Sequence, residues 1–282
     1  MGMVGIGTEC YLYVNGIETS KTIWLHDNVC LYPAKSAVKW KDVMPLFEND
    51  IDFSVAVLCN PTITSQLHII GEDTEHLAAN AWNSQWDCIL LGALLNCNVM
   101  CNLQSNQPIE KLAEAQYVYV TNYELRALLS PSYYITAADE EWITKNYEAA
   151  YKLLEEDCFQ TAVHTMASYR WHSVPRVQMA VIWSGIESLF NVNTEVSFRV
   201  SLYISNFLGE SEAQAQQIFK QIRKMYSLRS SAVHGNKIKD DIKNDIKNAV
   251  VESADLLNRI LRRCAEIQRL PDVKNLVFNL DK

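Results

Sequence analysis

The chain has 282 residues, of which 49% are hydrophobic and 21% are charged, and its formal net charge is −8. This composition is typical of a soluble globular protein that is long enough to bury one large core or two ordinary ones. The negative charge argues against a general nucleic-acid coat protein.

No targeting or membrane segment is expected. The first sixteen residues, MGMVGIGTECYLYVNG, lack a basic start followed by an apolar run, so we expect no signal peptide. The best apolar run, Ile89–Leu95, is far too short to span a membrane. The eight cysteines are scattered through apolar patterns, as free thiols are in a reducing cytosol. We therefore expect a cytoplasmic protein with no membrane partner.

The first part of the chain predicts strands and turns. Tyr11–Val14 ends at Asn15-Gly16, which is a strong hairpin signal, and Thr22–Leu25 is the candidate returning strand. Further strands are predicted at 29–32, 52–59, 66–70, 99–103 and 116–121, and a helix at about 75–97. We therefore expect a mixed α/β domain of undefined type over residues 1–130.

A series of helices is predicted after the turn-prone pair Ser130-Pro131. Asp139, followed by two glutamates, is typical of an N-cap, and Pro175 suits the first position of a helix. The predicted helices cover 139–156, 158–170, 174–191, 195–208, 211–234 and 240–268. Residues 131–282 are thus predicted to form an all-α helical domain, and the whole chain is predicted to belong to the α+β class.

Metal and cofactor sites are not predicted. Cys97 and Cys101, with nearby Cys88, lack the paired short spacings of zinc sites. His164 and His172 could share a helix face, but no carboxylate or cysteine is placed to complete a metal site, so we interpret them as structural. The common phosphate-loop, dinucleotide, zinc-protease and serine-hydrolase motifs are absent from the sequence.

The most informative stretch is Met225–Asn236, reading MYSLRSSAVHGN. It places Arg229 and His234 five positions apart at the end of a predicted amphipathic helix. Gly235 follows in the position where a left-handed helix cap is common. The imidazole would then lie near the negative end of the helix dipole, which favours its protonated form.

Arginine and histidine together suit chemistry on a phosphodiester. The guanidinium can stabilise a phosphoryl oxyanion, while the imidazole can act as general acid or base. Five helical residues turn about 500°, so the two side chains leave one helix roughly 140° apart. Two copies facing each other would converge them better, which predicts a composite site in a homodimer. Residues 211–282 carry 14 Lys and Arg against 9 Asp and Glu, a local balance of +5 that suits phosphate contact as well as ordinary solvated helices.

The string LRSSAVHG resembles the Arg-x4-His motif of the HEPN superfamily, in particular its Apea-like branch. The similarity extends through Pro175–Phe190 and Ser197–Gly209, so it covers roughly the C-terminal half. The resemblance implies an all-α HEPN-like bundle that dimerises. In active members it implies metal-independent RNA cleavage that leaves a 2′,3′-cyclic phosphate, in bacterial defence or toxin-like systems. Many active members carry Asn, Asp or His after the arginine; here that residue is Ser230, as in many Apea-like relatives.

The sequence therefore predicts a metal-independent endoribonuclease with RNA as its partner. His234 would act as base or acid, and Arg229 would hold the non-bridging oxygens. Glu187 could orient Arg229 through a charge-assisted hydrogen bond, or form a merely structural ion pair. Ser230 and Tyr226 could bond to phosphate, or be ordinary helix residues. The rival prediction is a catalytically silent HEPN-like dimer that binds RNA or a partner protein.

Overall fold

The computed structural model describes residues 6–35, 38–125, 128, 130–192, 195–233 and 240–278. The fold is of the α+β class, with an antiparallel six-stranded sheet in the N-terminal part and helices in the C-terminal part. The chain divides into two compact units. The first runs to Gly92 and resumes at Cys97–Glu148, and the second consists of Ala93–Asn96 and the chain from Ala149 onward. The predicted domain boundary after residue 130 falls inside the first unit and stays a prediction.

The first unit is organised around a central strand of its sheet. Its strands are β1 (Glu9–Asn15), β2 (Ile17–Glu18), β3 (Ile23–His26), β4 (Val29–Pro33), β5 (Ile63–Ile70), β6 (Met100–Ser105), β7 (Val118–Val120) and β8 (Tyr133–Tyr134). Six of them form the sheet in the order β3-β4-β5-β1-β6-β7, with every neighbouring pair antiparallel. Strands β2 and β8 form a separate parallel pair. Since six successive residues of β1 are buried, both faces of the sheet are covered at its centre.

The hairpin predicted at Asn15-Gly16 is wrong. Strand β1 pairs with β5 and β6, while β3 pairs with β4, so Thr22–Leu25 does not return along β1. Gly16 has a φ of 93°, and a Cβ atom there would collide with the carbonyl oxygen of Asn98. Glycine is therefore needed at this position for two reasons: the backbone is left-handed, and another segment passes very close to it. The sequence pattern Asn-Gly cannot distinguish this situation from a hairpin turn.

The strand predicted at 52–59 is also wrong, because this segment is helical. Helices α1 (Trp40–Val43), α2 (Asp50–Cys59) and α3 (Thr74–Leu94) lie between strands of the six-stranded sheet along the chain. Asn49 caps α2 by accepting a hydrogen bond from the backbone N–H of Asp52, at 2.9 Å. Val55, Ala56 and Cys59 then bury one face of the helix against Tyr11 and Tyr13 of the sheet. The alternating apolar residues of this segment imitate a strand, but the N-cap determines the structure.

The helices of the C-terminal part follow the predicted series. They are α4 (Ala137–Lys152), α5 (Asp157–Ser168), α6 (Pro175–Phe190), α7 (Val196–Leu208), α8 (Glu212–Val233), α9 (Asp240–Ile267) and α10 (Val273–Phe278). Helix α6 packs against α5, α8 and α9 and buries Trp183 completely. A Cβ atom at Gly185 would collide with Oγ1 of Thr165 on α5, so the glycine permits this close helix pair. The packing of α6 against α8 places Glu187 of α6 in contact with side chains of α8.

The structure does not place His164 and His172 on one helix, an arrangement that the sequence allowed. Helix α5 ends at Ser168, a 3-10 turn covers Tyr169–Trp171, and His172 has an extended backbone. The two imidazoles therefore belong to different local structures. Burial lowers the pKa of His164, which favours its neutral form.

Candidate active site

Helix α8 places Arg229 on its core-facing side. The buried residues Ile218, Ile222 and Met225 form that side, and Arg229 lies two helical turns after Ile222, almost directly in line with it. A guanidinium at such a position must find a partner, because an unpaired buried charge is strongly disfavoured. The partner comes from α6, which packs against α8.

Glu187 of α6 is that partner. Nη2 of Arg229 lies 3.1 Å from each carboxylate oxygen of Glu187 and donates a hydrogen bond to Oε2. The two side chains are 18% and 25% exposed, so the ion pair is mostly screened from water without being sealed. A charge-assisted hydrogen bond in such a place is short and directional, and it fixes the orientation of the guanidinium.

Tyr226 holds both members of the ion pair. Its hydroxyl donates to Oε1 of Glu187 at 3.1 Å, and its ring lies 5.4 Å from Cζ of Arg229. Burial raises the pKa of Tyr226, the negative charge of Glu187 adds to that rise, and Arg229 opposes it. The phenol thus stays protonated and remains a donor to the carboxylate.

A second layer supports Tyr226 from behind. The ring of Trp183 meets the Tyr226 ring edge to face, with centroids 5.1 Å apart and planes at 89°. Nε1 of Trp183 donates to the buried hydroxyl of Ser253 on α9, at 3.0 Å. Sequence reasoning missed both residues. The signal for Trp183 was its position four residues before Glu187, on the same face of α6.

One donor of the cluster has no acceptor. Nε of Arg229 is buried and makes no hydrogen bond within the described part of the chain. A buried donor left without a partner costs about 1–3 kcal/mol relative to a satisfied one. The guanidinium is therefore held on one side and lacks an acceptor on the edge that carries Nε.

The predicted site residues are thus partly assembled. Glu187, Tyr226 and Arg229 are in contact, and whether the Glu187–Arg229 pair orients the arginine for a ligand or is merely structural, the two alternatives that the sequence left open, stays a prediction. Ser230 is half-buried, and no hydrogen bond of its hydroxyl occurs among the described residues. His234 lies outside the described residues, as does Gly235, so its predicted place beside Arg229 stays a prediction. The hydroxyl of Tyr226 is engaged by a carboxylate, and its role toward phosphate likewise stays a prediction.

Metal binding finds no support in the residues that the structure describes. No group of three or more His, Cys, Asp or Glu side chains there is arranged to hold a metal ion. All eight cysteines are free thiols. The arrangement around Arg229 offers a fixed positive charge to an anion, which is chemistry that needs no metal.

Comparisons of the chain with known protein families, with curated proteins and with solved structures found no match. Within the described ranges, no helix is both long and apolar enough to cross a membrane. The functional argument therefore rests on the side chains themselves.

Proposed function

We propose that the chain is a metal-independent endoribonuclease of the HEPN type, as the motif in Met225–Asn236 suggests. In this mechanism the ribose 2′-OH attacks its own phosphodiester. His234 removes or returns a proton, and Arg229 binds the non-bridging oxygens of the pentavalent phosphorus. The products are a 2′,3′-cyclic phosphate and a free 5′-hydroxyl. Because the nucleophile belongs to the RNA, DNA is not a substrate.

The observation that carries this proposal is the arrangement of donors on Arg229. Glu187 takes one nitrogen of the guanidinium, Tyr226 supports the pair, and Nε has no acceptor in the described part of the chain. A purely structural arginine is expected to satisfy its buried donors. A phosphate oxygen reaching the Nε edge would supply the missing acceptor and would find the guanidinium already oriented.

We also propose that two copies of the chain form the working site. An arginine and a histidine five positions apart on one helix diverge by roughly 140°, so a second copy is needed to bring the two groups to one phosphate. A homodimer through the helical part, acting on RNA in the cytoplasm, fits this requirement. A role in bacterial defence or in a toxin-like system follows from the resemblance to Apea-like proteins.

The decisive experiment incubates the purified full chain with total RNA in EDTA. We expect cleavage with 2′,3′-cyclic phosphate ends, and a fall of about 10²–10⁴-fold in rate for His234→Ala. Arg229→Ala should lose about 10²–10³-fold, which is typical when a donor to a developing oxyanion is removed. Cleavage of DNA, or activity that survives His234→Ala, would refute the mechanism.

The matched control is Arg223→Ala. Arg223 lies on the same helix, is exposed, and bonds to the hydroxyl of Ser197 at 3.2 Å. Its removal takes away the same charge without touching the Arg229 cluster. If Arg223→Ala lost as much cleavage as Arg229→Ala, the loss would be explained by net charge alone, and a specific role for Arg229 would be contradicted.

A second candidate function is a catalytically silent dimer that binds RNA or a protein. The observation in its favour is the Glu187 carboxylate, which already neutralises an arginine that is only 18% exposed. Sedimentation and RNA binding by the full chain separate the two functions. A dimer that binds RNA without cutting it, equally well in wild type and in His234→Ala, supports the silent module.

A further inference from the structure

His26, at the end of β3, lies between two carboxylates that belong to two different helices. Its Nε2 is 2.8 Å from Oδ1 of Asp87 on α3, and its Nδ1 is 3.2 Å from Oε2 of Glu148 on α4. The side chains of His26 and Asp87 are 14% and 2% exposed, whereas that of Glu148 is 58% exposed. All three residues belong to the first unit.

The hydrogen-bond geometry favours a doubly protonated ring. A neutral imidazole has one N–H and one lone pair, whereas the imidazolium has two N–H donors. Each nitrogen of His26 faces a carboxylate oxygen, and an ionised carboxylate can only accept. In the neutral ring one nitrogen lone pair would point at a carboxylate oxygen, so only the imidazolium satisfies both contacts.

Tyr147 supports the contact between His26 and Asp87. Its hydroxyl donates to Oδ1 of Asp87 at 2.7 Å, the same oxygen that His26 contacts. The Tyr147 ring also lies 5.5 Å from the imidazole and shields it. A hydroxyl that donates to this oxygen stabilises negative charge beside His26, and negative charge there favours the protonated histidine.

We propose that His26, Asp87 and Glu148 form a proton-dependent clasp that fastens the edge strand β3 to helices α3 and α4. Strand β3 needs such a fastening, because it lies at one edge of the sheet and pairs only with β4. When His26 loses its proton, the contact with Glu148 or with Asp87 becomes repulsive. The end of β3 and the adjoining turn of α4 are then released.

The pH range follows from the direction of the pKa shift. Burial lowers the pKa of His26, but the hydrogen bonds and charges of Asp87 and Glu148 outweigh it, so the pKa lies above the ordinary value of 6.5. A raised pKa stabilises the folded state fully below 6.5, and this contribution is lost as the pH rises through the folded-state pKa. The clasp is closed in mild acid and opens on the alkaline side.

Among the groups that face the imidazole are Asp87 from α3 and Glu148 and Tyr147 from α4. A second ion pair, Lys21–Glu140 at 3.3 Å, also joins the chain near β3 to α4. Its side chains are 66% and 31% exposed, so solvent screens this ion pair.

The experiment follows the His26 ring by NMR in the full chain while the pH is varied. We expect its midpoint above 6.5, and a lower midpoint in Glu148→Gln, which removes the exposed carboxylate with little risk to folding. A midpoint at or below 6.5 in the wild type, or no change in Glu148→Gln, would overturn the clasp.

Hydrogen exchange measures the opening itself. After correction for intrinsic rates, peptides covering 23–26 and 137–148 should exchange faster above the His26 midpoint than at pH 6, because the contribution of the protonated imidazole to stability is then lost. This difference should vanish in His26→Gln. The matched control is His76→Gln, because His76 pairs with Asp73 at 2.9 Å on the surface of α3. The proposal is contradicted if exchange in the wild type does not depend on pH. It is also contradicted if the pH-dependent difference in exchange disappears in His76→Gln as it does in His26→Gln.

Discussion

The two units each contain one partly buried cation with a carboxylate and a tyrosine hydroxyl, but the two clusters differ in completeness. In the first unit, both nitrogens of His26 face carboxylates, and Tyr147 donates to Asp87. In the second unit, Arg229 engages Glu187 through one nitrogen, Tyr226 donates to the same carboxylate, and Nε has no acceptor among the described residues. The first cluster is saturated and the second is not.

The difference separates a structural role from a binding role. A saturated network stabilises the fold, and removing its buried carboxylate leaves a mostly buried cation without its nearest partner. An unsaturated one carries a cost that is repaid only when a further acceptor arrives. The His26 cluster therefore contributes to stability and to its pH dependence, and the Arg229 cluster is the candidate site for an anionic ligand.

The largest effect is expected for Asp87→Ala. The change leaves His26 charged and mostly buried beside a tyrosine without its acceptor, so the free energy of unfolding should fall by about 3–5 kcal/mol. Urea unfolding followed by circular dichroism measures it. Asp73→Ala, which removes an exposed carboxylate that accepts the backbone N–H of His76 at 2.9 Å, should lower the free energy of unfolding much less. If Asp87→Ala and Asp73→Ala lowered the free energy of unfolding equally, the buried His26 cluster would contribute no more to stability than an exposed carboxylate.

Glu187→Ala should have the next largest effect. It breaks a hydrogen bond to a charged group and frees the hydroxyl of Tyr226, so the unfolding free energy should fall by about 1.5–3 kcal/mol. The control, Glu195→Ala, removes the exposed 3.5 Å pair with Arg199, which is worth about 0–1 kcal/mol. If Glu187→Ala costs as much as Asp87→Ala, the second cluster is as structural as the first.

Tyr226→Phe removes one neutral donor and keeps the ring beneath Arg229. We expect a loss of about 0.5–1.5 kcal/mol in thermal or urea unfolding, together with slower RNA cleavage because Arg229 is less firmly held. Tyr203→Phe is the matched control: Tyr203 is 6% exposed, and its hydroxyl makes no hydrogen bond among the described residues. If Tyr226→Phe lowered stability without changing the cleavage rate, Tyr226 would have a structural role only.

Ser230→Ala should change least. Its hydroxyl is half-buried and outside the Glu187–Arg229 network, so the unfolding free energy should stay within about 0.5 kcal/mol of the wild type. Cleavage measured in the same assay should also stay close to the wild-type rate. A large drop in cleavage at unchanged stability would place Ser230 in contact with the phosphate and restore the role predicted from the motif.

The sequence by itself determined the helices of the C-terminal part closely. The predicted helix at 174–191 is observed as Pro175–Phe190, and that at 211–234 is observed up to Val233. Apolar periodicity and capping are local properties, and here tertiary packing agrees with them. The pairing of Glu187 with Arg229 could also be anticipated, because a carboxylate on an otherwise apolar helix face needs a donor.

Tertiary structure decided what local signals could not. The segment Asp50–Cys59 alternates like a strand but is a helix, and Gly16 marks a close approach to Asn98 instead of a hairpin. The partners of His26 lie 61 and 122 residues away along the chain, and no spacing rule reaches that far. Strand partners and buried charge clusters depend on which distant segments pack together, and only the folded chain brings those segments into contact.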